Sequence, residues 1–166
     1  MKGGKDIDLI DEVRAAFPPL PGHSVVPIAD VYDFCSRESL GRPIANWSEI
    51  TEDDMKHGHF GALLHVLMDR TFVAWLPAWL VNVPVYGDEI PNALAAFSGC
   101  LSPRGAAVVG RSDLLQDRVK WLTVDQRKAV AAAGWAMAGK HIDLFRYDVG
   151  RTIGETWDRY AADGLA

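Results

Sequence analysis

Residues 71–84 read Thr-Phe-Val-Ala-Trp-Leu-Pro-Ala-Trp-Leu-Val-Asn-Val-Pro. Trp75 and Trp79 stand at helical spacing, apolar residues cover every side, and Pro77 sits inside the run. A helix with such a surface cannot face water on any stripe, so it must be the element around which the others pack. Taken from Thr71 to Val85 the run is about 15 residues, short of the ~20 that a membrane span needs, and Asn82 and two prolines interrupt it. Pro77 removes one i→i−4 bond and should bend the helix. The pattern therefore predicts a central, proline-kinked core helix over about residues 70–83, ended by Pro84 and Gly87.

Helical signals follow one another along the rest of the chain. Asp6 reads as a cap for a helix with Ile7, Ile10, Val13 and Phe17 on one stripe, stopped by Pro18-Pro19-Leu20-Pro21-Gly22. A weaker helix is expected over 28–34, a loop at Gly41-Arg42-Pro43, and Trp47 folded back onto the core. Thr51-Glu52-Asp53-Asp54 reads as a cap with acid in the first turn, opening a helix whose pattern runs through Phe60, Leu63, Leu64, Leu67 and Met68. Further helices are expected over 90–97, with Pro91 in the first turn, and over 112–119 from Ser112. Thr123-Val-Asp-Gln126 is a capping box that starts a helix to about Met137. The last helix covers 147–162, with Val149, Ile153, Trp157 and Tyr160 as its stripe. Residues 102–111 read as a flexible loop, and residues 1–5 and 164–166 as frayed ends. Only Val25-Val26 and Val108-Val109 offer places for a short strand pair. The expectation is one all-α domain over 1–166, of about six to eight helices.

The chain has 166 residues, 49% hydrophobic and 23% charged, with a net charge of −5. That is ordinary globular usage. The acidic balance argues against nucleic acid and anionic membrane surfaces as partners, because phosphate neutralisation needs clustered Lys and Arg. Cys35 and Cys100 read as free thiols of a cytosolic protein. The first residues lead directly into an acid-bearing helix without an apolar signal region, so a cytoplasmic location is expected.

Several pieces resemble a bacterial family of unknown function: Phe17-Pro18, the block Phe72-x-x-Trp75-Leu76-Pro77-Ala78-x-Leu80, and Leu122-Thr-x-x-Gln126-x-x-Ala129-Val130. Trp75 stands for the family's tyrosine, and Val124-Asp125 replaces its Pro-Glu. The resemblance spans about residues 7–138. It implies an all-helical bacterial cytosolic protein and carries no catalytic residues with it.

Gly105-Ala-Ala-Val-Val-Gly110-Arg111-Ser112 approaches a phosphate-binding loop, but Arg111 stands where lysine belongs and no strand precedes it. His57, His59 and His65, near Asp53 and Asp54, are the densest set of metal-ligand types. Their spacing gives no common face on one helix, and structural zinc favours Cys or a regular His spacing, so no metal and no cofactor is expected. Cys100 with a distant His is compatible with thiol chemistry, yet it reads first as a small core residue. Glu155 and Asp158 read as part of the solvated face of the last helix.

Six tryptophans exceed what so small a core requires. One or two are therefore candidate surface anchors, Trp157 first among them. With no catalytic motif in view, the sequence favours a protein that docks on a partner, of the immunity or inhibitor type. A basic partner would meet the carboxylates Glu49, Glu52, Asp53 and Asp54. The alternatives are an enzyme or ligand site near Asp53, His57 and His59, or an apolar pocket at the Pro77 kink lined by Trp75 or Trp79.

Overall fold

The computed structural model describes residues 4–19, 44, 46–56, 60–67, 69–108, 112–140 and 147–162. Among them are eight α-helices and no β-strand. They are α1 (Gly4–Ala16), α2 (Glu52–Lys56), α3 (Asp69–Tyr86), α4 (Pro91–Leu101), α5 (Pro103–Val108), α6 (Ser112–Trp121), α7 (Val124–Met137) and α8 (Val149–Ala162). Two 3-10 turns, Trp47–Glu49 and Phe60–His65, complete the described elements. The all-α fold matches the sequence pattern.

The apolar run is the centre of the molecule. Helix α3 touches α1, α4, α6, α7 and both 3-10 turns. Phe72, Trp75, Leu76, Ala78, Trp79, Leu80 and Val83 are all buried. Pro77 lies within α3 as expected, but Pro84 does not end it. The helix runs on to Tyr86, because a proline costs one backbone donor and the surrounding packing holds the remaining turn. The Trp79 ring stacks on Phe60, and its indole N–H donates to the Gly61 carbonyl at 2.8 Å. Gly61 has no room for a side chain, since a Cβ there would lie 2.7 Å from the Met55 carbonyl oxygen.

The caps expected at Thr51 and Thr123 are formed. Thr51 and Asp54 bond reciprocally at the start of α2, with the Thr51 N–H donating to Asp54 Oδ2 at 2.8 Å and the Asp54 N–H to Thr51 Oγ1 at 3.3 Å. Thr123 and Gln126 form the complete capping box of α7. Helix α4 begins with Pro91 at its first position and extends to Leu101.

Four expectations are corrected. Helix α1 starts at Gly4, so Asp6 lies inside it, and Leu9, Val13 and Phe17 form its buried stripe. The pattern expected as one helix after Thr51 is broken into α2 and the Phe60–His65 turn. Residues 102–111 do not form a loop throughout, since Pro103–Val108 is a helix and Val108 is no strand. Its start is capped by Ser102, whose Oγ accepts the Gly105 N–H at 2.9 Å, with Pro103 at the first position. Trp157 is not a surface residue; it is 0% exposed. The expected helix over 28–34, the strand pair at Val25-Val26 and Cys35 lie outside the described residues.

Helices α7 and α8 pack closely, and α8 begins at Val149, with the Asp148 side chain accepting the Arg151 N–H at 2.9 Å. Its buried stripe, Val149, Ile153 and Trp157, follows the predicted spacing. No helix among the described residues is long and apolar enough to cross a membrane.

Candidate functional site

The chemistry-bearing residues meet at one interior junction. There the Phe60–His65 turn, the end of α4 and the buried side of α6 bring together His65, Cys100 and Arg118. The His65 Nδ1 lies 3.6 Å from Cys100 Sγ, and the thiol donates to the Leu64 carbonyl at 3.3 Å. Arg118 is 3% exposed. It donates through one terminal nitrogen to the Cys100 carbonyl at 3.2 Å and through the other to the Leu64 carbonyl at 3.1 Å. The Phe72 ring lies against the guanidinium, 4.5 Å from its centroid.

The electrostatics oppose a nucleophile. Burial pushes the Cys100 thiol upward, and the nearby Arg118 charge and hydrogen bond only partly offset it. Burial also lowers His65, and the Arg118 charge lowers it further. An activated Cys–His pair needs the reverse, a depressed thiol beside a basic imidazole with access for substrate. Cys100 is completely buried. These groups fasten the Phe60–His65 turn to α4 and α6.

Arg118 makes no ion pair among the described residues. Both its carbonyl acceptors lie in the last turn of a helical element, where the backbone dipoles gather negative partial charge. The same device recurs through the molecule. Arg127 donates to the Val119 carbonyl near the end of α6 and to the Tyr160 carbonyl near the end of α8. Trp157 donates to the Leu101 carbonyl at the end of α4 at 2.8 Å. Gln126 reaches the Ala16 carbonyl of α1, Trp47 the Phe17 carbonyl just beyond it, and Lys140 the Pro84 carbonyl of α3. Helix ends are thus tied by side chains from other elements. This explains why Trp157 is interior: its indole is the cap of α4.

The surface candidates separate differently. Asp54 is mostly buried and consumed in the cap of α2. Glu52 and Asp53 converge on Lys56 at 2.9 and 3.5 Å, and Glu89 from the turn after α3 joins at 3.4 Å. The hydrogen bond that Lys56 donates to the Glu52 carboxylate is the chief reason its ammonium holds its proton well above the usual lysine range. Glu49 accepts from the Asn46 amide at 3.1 Å. His57 and His59 lie outside the described residues, and His65 faces the junction. Among the described residues no three or more His, Cys, Asp or Glu side chains gather as a metal would require.

A surface pocket of about 200 Å³ is lined by Phe17, Pro18, Asn46, Trp47, Val73, Ala74 and Gln126. It lies beside α3 about one turn before Pro77, and neither Trp75 nor Trp79 lines it. Its polar side chains already serve the protein: Asn46 caps the Trp47–Glu49 turn, and Gln126 holds Thr123 and Ala16.

No family model, curated protein or solved structure matches this chain. What the surface offers instead is aromatic. Trp121, at the end of α6, is 45% exposed, and Trp135, on α7, is 44% exposed. The Trp135 ring packs on Gly154 of α8, where a Cβ would lie 2.7 Å from two ring carbons, and its N–H donates to Asp158 Oδ2 at 2.9 Å. The number of tryptophans and the place of Trp157 near the chain end put it first as an exposed residue, but Trp121 and Trp135 are the exposed ones. The available signal was Gly154, Gly150 and Gly134: close α7–α8 packing turns Trp157 inward and leaves Trp135 outside.

Proposed function

We propose that this protein acts by binding a protein partner, as an inhibitor or adaptor of the immunity-protein type, in the cytoplasm of a bacterium like those whose proteins its motifs resemble. The observation that carries this reading is the division among the tryptophans. Trp47, Trp75, Trp79 and Trp157 are buried, while Trp121 and Trp135 remain nearly half exposed. Exposed tryptophans are over-represented where interfaces hold most of their binding energy. The interior ionisable groups support the same reading, because their hydrogen bonds are spent on helix ends. The acidic start of α2, with Glu49, Glu52 and Asp53, and the net charge of −5 fit a basic partner whose encounter is speeded by electrostatic attraction.

The test is affinity isolation of the tagged protein from its host, followed by a binding measurement with the purified captured protein. Trp121→Ala together with Trp135→Ala should weaken binding at least about tenfold without unfolding the chain. Charge reversal at Glu52 and Asp53 should reduce the association rate and its salt dependence. A partner that binds both variants as tightly as the parent would overturn the reading.

A further inference from the structure

We infer that Trp135, with Asp158 and Glu155 beside it, is a preformed seat for an arginine or lysine side chain of a basic partner segment. This rests on the partner-binding reading and names the surface and the chemistry. One face of the Trp135 indole is covered by Gly154, so its exposed area belongs to the opposite face and edge. The hydrogen bond to Asp158 fixes the ring's orientation, which lowers the ordering cost of binding. Asp158 is exposed and uses Oδ2 for the indole, which leaves Oδ1 at the ring edge. Glu155, exposed one turn earlier on the same helix, makes no ion pair among the described residues.

A cation over an indole face is attracted by the ring quadrupole, and a carboxylate at the ring edge adds a charged hydrogen-bond acceptor. Among the described residues no cation pairs with either carboxylate. Arg151 is engaged by Asp148 at 3.6 Å, and Arg159, one turn after Glu155 on α8, makes no ion pair among the described residues. Trp121 is the internal control. It is equally exposed, but its neighbours Asp117 and Lys120 already pair at 2.8 Å, and no carboxylate among the described residues holds its indole.

The experiment titrates the full-length 15N-labelled protein with the peptide acetyl-(Gly-Arg)3-amide and follows the indole N–H signals, assigned by Trp135→Phe and Trp121→Phe. The Trp135 signal should shift saturably while the Trp121 signal stays in place. Asp158→Asn with Glu155→Gln should weaken peptide binding at least about fivefold, with an unchanged melting midpoint confirming the fold. An equal response at Trp121, unchanged affinity in the double variant, or no shift at millimolar peptide would overturn the inference. Shifts confined to the backbone of Glu52 and Asp53 would also overturn it, yet would leave a basic partner standing, so the two readings fail separately.

Discussion

Arg118 and Lys56 show two ways of holding a cation in one small protein. Arg118 is interior, without a carboxylate among the described residues, and bonded to two helix-end carbonyls over an aromatic ring. Lys56 is exposed and surrounded by Glu52, Asp53 and Glu89. Inside, removing the cation would take the Arg118 donor from the buried Cys100 carbonyl and leave the Leu64 carbonyl with the Cys100 thiol alone, so its geometry is worth a large share of stability. Outside, solvent screens each ion pair, and the carboxylates around Lys56 contribute little to folding. The interior polar groups are therefore architecture, and the partner proposed above would meet only the surface groups.

The sharpest way to break this contrast is Arg118→Met. It keeps an apolar stem against Phe72 but removes the donors to Leu64 and Cys100, and should cost ~2–4 kcal/mol in urea unfolding. A loss below ~1 kcal/mol would show that water or a neighbour takes over those carbonyls. Next comes Trp157→Phe, which keeps a ring in the core and deletes the bond to Leu101. It should cost ~1–3 kcal/mol, whereas Trp135→Phe should leave the urea midpoint nearly unchanged.

A smaller effect is expected from pH. Because His65 is lowered from 6.5 in the folded chain, the unfolded state takes up its proton first as pH falls. Its contribution is fully present above pH 6.5 and is lost progressively below that value towards the folded pKa. Stability measured from pH 7.5 to pH 5 should therefore fall less steeply in His65→Gln than in the parent. An identical slope would place the titration elsewhere. The smallest effect belongs to Lys56→Met, for which no measurable change in melting midpoint is expected. A clear loss there would erase the distinction between the two cations.

Much of the fold was legible because its signals are local. The Thr51 and Thr123 caps, Pro91 at a first helical position and the run around Trp75 each act within a few residues. Helix α5 was also legible in principle, since Ser102-Pro103 is a cap followed by a favoured first residue, but the small residues after it read as a loop. The close approach of Gly61, in the turn after α2, to Met55 and Ala93 is a tertiary contact that no spacing reveals. Long-range capping was invisible for the same reason. Arg118 and Leu64 lie 54 positions apart, and Trp157 and Leu101 lie 56 apart. Trp157 falls on the apolar stripe of Val149 and Ile153, which the helical spacing marks as inward, while the exposure of Trp135 follows from how α8 approaches α7.

The claim that the His65–Cys100–Arg118 junction is structural is tested most directly by thiol labelling of Cys100 in a Cys35→Ser chain. A buried, protonated thiol reacts only when the protein opens. Labelling should be slow in native buffer, accelerate with urea in step with unfolding, and be faster in Arg118→Met. Rapid labelling in native buffer, indifferent to urea below the unfolding transition, would contradict the account and reveal a reactive thiol with an open path to solvent.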